Sequence, residues 1–338
     1  MSRRPAQVEW IPASVAGRPG HRLMVVLAAP GCAWARRSGG CTNCGFAAAL
    51  GTSRPVSAED LVCQMREALR RIPDGEPAPV ELDIFCSGSF FNPDEIPEEA
   101  QAELLRLGAA HRAVRSVLVE TRPEYASAER LEAARAACDG KSLEIAIGLE
   151  SASPALLRRI RKGFSFEDFE RAAQRVAEAR LSLVAYVLQK PIDTREGEAL
   201  LDAAETIRKV FALSGRLGLP ARVALEPCFV VPGTPLSRAS EEGRYRPPWL
   251  WSVLAVVVQS HALGRIQVGL SDEGLGASHR PRNCERCSAR VRAALVEFNA
   301  TQRLTGLLEL DCACREQWLA ELSAEGLSEP LPANTESP

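Results

Sequence analysis

Residues 31–45, Gly-Cys-Ala-Trp-Ala-Arg-Arg-Ser-Gly-Gly-Cys-Thr-Asn-Cys-Gly, decide how the rest of this chain is read. They set Cys32, Cys41 and Cys44 in a C-x8-C-x2-C pattern directly after an apolar, strand-like run at 22–28. Iron–sulfur clusters are usually held by four Cys thiolates, so a loop offering three leaves one iron open to a ligand that is not protein. A structural zinc site wants a closed set of four Cys or His ligands. No fourth Cys or His lies in the loop, and His21 precedes the strand. Gly39, Gly40 and Gly45 suit a loop that folds tightly around a bulky inorganic core.

Outward from this loop, 338 residues with 46% hydrophobic and 25% charged content can bury a substantial core, as one large domain or one with an extension. Arg3 and Arg4 are followed by no apolar signal segment, and no apolar stretch, the run near 254–258 included, is long enough to span a bilayer. A cytoplasmic location with no membrane association is the expectation. In that compartment thiols stay reduced, so eleven cysteines point to metal ligation, with enough for two sites. A formal net charge of −2 provides no global basic field for nucleic acid. The densest basic cluster, Arg158-Arg159-Ile-Arg161-Lys162, reads as a solvated helical face.

Strand-like runs alternate with helical patterns through to about residue 231, which argues for parallel βα units. The expected strands are 22–28, 80–85, 116–120, 143–149, 181–188 and 221–229, with helices at 58–71, 97–108, 127–137, 166–179 and 196–213. Six such units make a barrel or partial barrel. Sites in parallel α/β architectures gather at the C-terminal ends of the strands, where the cysteine loop falls.

With that placement, the Gly31-Cys32-Ala-Trp34 and Gly39-Gly40-Cys41-Thr42-Asn-Cys44-Gly45 segments resemble the radical S-adenosylmethionine (radical SAM) superfamily. The superfamily's usual spacing is C-x3-C-x2-C. The longer first gap is similar to the branch containing the archaeosine synthase radical SAM subunit and the thiosugar-forming enzyme of albomycin biosynthesis. Cys-Ser-Gly-Ser-Phe at 86–90, Glu120-Thr-Arg122-Pro and Gly148-Leu-Glu150-Ser151 resemble the same branch, so the likeness covers most of the chain. It implies an α/β fold: a partial (βα)6 radical SAM barrel over 1–235, a C-terminal cysteine-rich extension over 236–330 and a disordered tail at 331–338. It also implies that Cys32, Cys41 and Cys44 hold a [4Fe-4S] cluster whose open iron chelates S-adenosyl-L-methionine, which is cleaved to a 5′-deoxyadenosyl radical. Ser87, Gly88, Ser89, Glu120, Arg122, Glu150 and Ser151 are the expected SAM contacts. An ion pair bracing adjacent loops is the competing reading of Glu120 and Arg122.

A second group, Cys284, Cys287, Cys312 and Cys314 in C-x2-C-x24-C-x-C, completes a metal site by itself. Paired short spacings suit structural zinc, and an auxiliary [4Fe-4S] cluster fits equally by ligand count. Resemblance to the branch favours the cluster. Cys63, Cys86, Cys138 and Cys228 default to packing. Gln189-Lys190-Pro191 and Glu226-Pro-Cys228 are candidate substrate contacts, His261 and His279 read as surface groups, and Trp249 and Trp251 as packing residues. No catalytic residue beyond the cofactor ligands is legible.

Three functional readings follow. The favoured one is an albomycin-type enzyme of antibiotic biosynthesis that exchanges the ring oxygen of a nucleoside or nucleotide for sulfur from the auxiliary cluster. An archaeosine-synthase-like C–N lyase acting on a lysine-modified deazaguanine in tRNA is the first alternative, and a non-catalytic metal-binding scaffold the second. An electron donor such as flavodoxin or ferredoxin is an implied partner. The mild net charge suits a small nucleotide better than tRNA.

Overall fold

The computed structural model of the chain describes residues 3–46, 55–328 and 330. The tail expected at 331–338 lies outside these. The strands are β1 (Gln7–Val15), β2 (Arg18–Val26), β3 (Val80–Phe85), β4 (Val114–Thr121), β5 (Ser142–Glu150), β6 (Ser182–Gln189), β7 (Ala221–Pro227) and β8 (Ile266–Val268). They form one sheet in sequential order, parallel from β2 to β8, with β1 antiparallel to β2. The helices described are α1 (Ala33–Ser38), α2 (Ala58–Leu69), α3 (Glu98–Ala110), α4 (Ala128–Ala137), α5 (Pro154–Arg159), α6 (Phe166–Glu178), α7 (Glu196–Leu217), α8 (Pro235–Glu241), α9 (Leu250–Ser260), α10 (Glu285–Thr301), α11 (Thr305–Leu308) and α12 (Cys314–Ala324). The six expected strands correspond to β2 through β7, so the sheet is a curled half-barrel with two further strands at its edges.

Each parallel strand has two buried faces. Leu23, Val25, Leu82, Ile84, Val117, Val119, Ile145, Ile147, Val223 and Leu225 enter the large core beneath the helices. The alternate positions Met24, Val26, Phe85, Leu118, Ala146, Val184 and Ala224 form a second, narrow core with Tyr186 on the concave side. Toward the N-terminal ends of the strands the concave face turns ionic. Arg22 pairs with Asp83, and Arg222 with Glu81 at 3.0 Å and Glu144 at 2.7 Å. Charges this far from water persist only when paired, so this layer closes the lumen from below.

Serine caps time the helices. Ser57, Ser127, Ser153 and Ser165 each accept a hydrogen bond from a backbone N–H in the first turn of the following helix, and Ser165 and Asp168 complete a capping box. On the far side, α9 carries Trp251 and α12 carries Trp318 into the same core as the barrel's outer layer. The boundary drawn at 235/236 falls just inside α8. Among the described residues no helix is long and apolar enough to cross a membrane.

Candidate functional site

The cysteine loop crowns the C-terminal mouth of the half-barrel. Cys32 is the N-cap of α1, and Gly39 and Gly40, both at positive φ, turn the chain sharply out of that helix. The loop is then stitched to its neighbours: the Thr42 N–H donates to the Ile160 carbonyl (3.0 Å), the Trp34 indole to Arg161 O (3.0 Å), and the Asn43 amide to Cys228 Sγ (3.4 Å). Burial pushes the Cys41 thiol up, while Lys162 and Arg122 nearby oppose that shift. A cation pair beside a thiolate favours its charged, metal-binding form.

Glu95, which the sequence reading passed over, fastens two loops together. It is buried, and its Oε1 accepts from Ala33 N (2.9 Å) and Asn92 Nδ2 (2.8 Å) while Oε2 accepts from Ser89 N (2.5 Å). It thereby fixes the 86–92 loop to the residue after Cys32. A Cβ at Gly88 would run into this carboxylate and the Cys32 backbone, so the close approach requires glycine. Ser89 is committed as well, its hydroxyl accepting from Arg122 N at 3.1 Å. Ser87 differs: it sits at φ 57° and its buried hydroxyl has no partner.

Arg122 lies over the rings of Trp34 (5.0 Å) and Phe164 (5.1 Å), donates to Glu124 (2.6 Å) and to Lys162 O (3.0 Å), and keeps a buried Nη2 without a partner. Its ion pair is therefore with Glu124 and not with Glu120. Lys162 overturns the reading of residues 158–162 as one solvated face: α5 stops at Arg159, Arg161 takes a left-handed φ of 56°, and Lys162 turns inward. It is 8% exposed and pairs with Glu150 at 2.6 Å. Ser151 is buried and engaged within the protein, donating to Asp202 (2.9 Å) and receiving Ser153 N (2.9 Å). Lys190 is likewise structural, buried against Glu196 at 2.6 Å.

Above the narrow core, Glu120 and Glu226 project from the concave side with Tyr186 nearby. Burial, reinforced by repulsion from Glu273, pushes both carboxyls up to about 8, and burial raises Glu273 as well. Glu226 is a candidate on the sixth expected strand; Glu273, in a loop, carries no sequence signal.

The C-terminal cysteines come together as a four-thiolate cage able to hold an additional metal group. Their sulfurs all lie within 4.8 Å of one another. Cys284 is the N-cap of α10 and Cys314 opens α12, so the cage staples two helices, and the Trp251 indole N–H donates to Cys314 Sγ at 3.3 Å.

The triad at the mouth forms no such tight group among the described residues. Three half-buried thiols on one loop, with the unpartnered Ser87 Oγ and Arg122 Nη2 close by, fit a large cluster carrying a polar exogenous ligand.

Comparisons with known proteins extend along almost the whole chain. It is 34% identical to archaeosine synthase subunit beta of Methanosarcina acetivorans, over 92% of this chain and 87% of that one. It is 31% identical to the subunit of the same name from Thermococcus kodakarensis, over 90% and 93%. Among solved structures, methylornithine synthase (PylB) superposes with a TM-score of 0.51 at 13% identity over 91% of this chain and 82% of that one. Elp3 of Methanocaldococcus infernus gives 0.51 at 16% over 70% and 59%. These structures share the fold. No family model matches the sequence.

Proposed function

This chain belongs to the radical SAM enzymes of the archaeosine synthase subunit beta family, and from that premise we propose that it performs radical chemistry on a nucleobase or nucleoside, cleaving a C–N bond in a precursor that carries an amine. The observation that carries the reading is the end-to-end similarity to that subunit, with the triad loop intact at the strand ends. A [4Fe-4S] cluster with bound S-adenosyl-L-methionine supplies a 5′-deoxyadenosyl radical at such a site.

The chain's own residues divide the remaining work. Cys32, Cys41 and Cys44 are the cluster ligands. Ser87 and Arg122, with their unpartnered donors, suit the carboxylate of the methionine part. Glu95 holds the loop bearing Ser87 against Cys32, and the Lys162–Glu150 pair fixes the opposite wall. Glu120, Glu226 and Glu273 suit a cationic group of the substrate: an ammonium entering the lumen favours their ionised forms and is held by them. An amine-bearing deazaguanine precursor of the kind the resemblance implies has that charge.

Exchange of a ring oxygen for sulfur in a nucleotide is the second reading. The four-thiolate cage, as a place for a sulfur-donating cluster, and the net charge of −2 favour it. The test is anaerobic incubation of reduced protein with S-adenosyl-L-methionine and either precursor-bearing tRNA or free nucleotides. Deoxyadenosine release with tRNA, salt-sensitive tRNA binding and loss of release in Cys41→Ala are the expected results. A thiosugar product from nucleotides alone moves the assignment to the second reading, and full SAM cleavage by Cys41→Ala sinks both.

A further inference from the structure

We infer that the C-terminal cage holds one tetrahedral zinc ion and not an iron–sulfur cubane. The sulfur spacing carries this. Cys284 Sγ lies 3.6 Å from Cys287 Sγ and 3.6 Å from Cys312 Sγ, and Cys287 Sγ lies 3.5 Å from Cys314 Sγ. Around a single zinc, with Zn–S near 2.3 Å, the edges of the sulfur tetrahedron are about 3.8 Å. In a cubane each thiolate binds a different iron at a corner of the cube and points outward, so the four sulfurs stand well beyond single-ion spacing.

The surroundings oppose an expansion. The Trp251 indole donates to Cys314 Sγ, and one turn along α12 the fully buried Trp318 donates to the buried Ser252 hydroxyl at 2.8 Å. Ser252 in turn donates to Glu196 at 2.6 Å, and Glu196 is the partner of Lys190. Opening the cage by the width of a cubane would move Cys314 against this chain of fixed, buried groups. At the mouth the same chain keeps its three cluster ligands outside such tight contact. An all-thiolate tetrahedral set with a supporting N–H donor is a closed structural zinc site. The ion's role is then to fasten α10 and α12 beneath α9.

The assignment concerns the cage alone: it leaves the C–N cleavage reading untouched and removes the sulfur donor that the second reading requires. It is tested by metal and acid-labile sulfide analysis of protein purified anaerobically from medium containing both iron and zinc. The wild type is compared with a Cys32→Ala/Cys41→Ala/Cys44→Ala variant, which leaves the cage untouched. About one zinc and about four irons per chain are expected in the wild type, with iron falling at least tenfold and zinc unchanged in the variant. Zinc-edge X-ray absorption of the wild type, showing four sulfurs at about 2.3 Å, supports the assignment even where the variant folds poorly. Wild-type protein with about eight irons and no zinc, or a variant retaining about four irons with matching sulfide, overturns it. Failure of the triad to take up iron would instead count against the radical reading and leave the zinc result standing.

Discussion

At the level of single residues, the site depends on charges that water does not reach. Lys162 and Glu150 have side chains only 10% and 16% exposed, and each is the other's counter-ion. Lys162→Met removes one member and leaves the Glu150 carboxylate without its cation, a change that costs about 3–5 kcal/mol in comparable buried pairs. Adding Glu150→Gln removes the stranded charge. Denaturant titration of both variants should therefore show the double variant recovering much of the loss; equal loss in both would mean that the pair contributes through packing alone. Glu95 belongs to the same scale, because one buried carboxylate satisfies three N–H groups from two loops. Neither role is legible in the sequence. Asn92-Pro-Asp-Glu95 reads as a turn, and Lys162 sits in a basic run whose inward turn depends on a left-handed Arg161 and on Gly163, where a Cβ would strike the Trp34 ring.

Secondary-structure elements are more legible than these side-chain roles, because their signals are local. β3 was placed at its observed bounds because Val80–Phe85 is apolar on alternate residues and flanked by breakers. α6 was placed to within a residue because Ser165 and Asp168 announce its start. β1 was missed: Pro12 interrupts its pattern, and proline is tolerated there only because the strand is at an edge. β8 is three residues long and has no periodicity to detect. The capping signal also makes a quantitative expectation. Ser165→Ala removes the acceptor for Asp168 N, so thermal or urea unfolding should show a loss of about 1 kcal/mol. A change near zero would mean that Asp168 alone caps the helix.

Across the whole molecule, the half-barrel sets an apolar outer core against a lumen that runs from ionic at the base to acidic at the mouth. The alternation of strand-like runs with helical patterns makes the parallel sheet legible, whereas the gathering of Glu120 from β4, Glu226 from β7 and Glu273 from a loop depends on curvature that no local pattern encodes. This gathering links the site to global stability. In the unfolded chain these carboxyls titrate near their ordinary value of 4.5, but in the folded protein Glu120 and Glu226 hold their protons up to about 8. Between those values the native state binds more protons than the unfolded one, so their contribution to stability declines as pH rises through that window. Glu120→Gln/Glu226→Gln keeps the shape and removes the titration. Its urea-unfolding free energy should fall less than that of the wild type from pH 5 to pH 8, with the variant the more stable of the two at the upper end. A wild-type curve parallel to the variant's would show that the lumen already holds both carboxylates ionised, and an added cationic ligand would then raise stability without releasing protons.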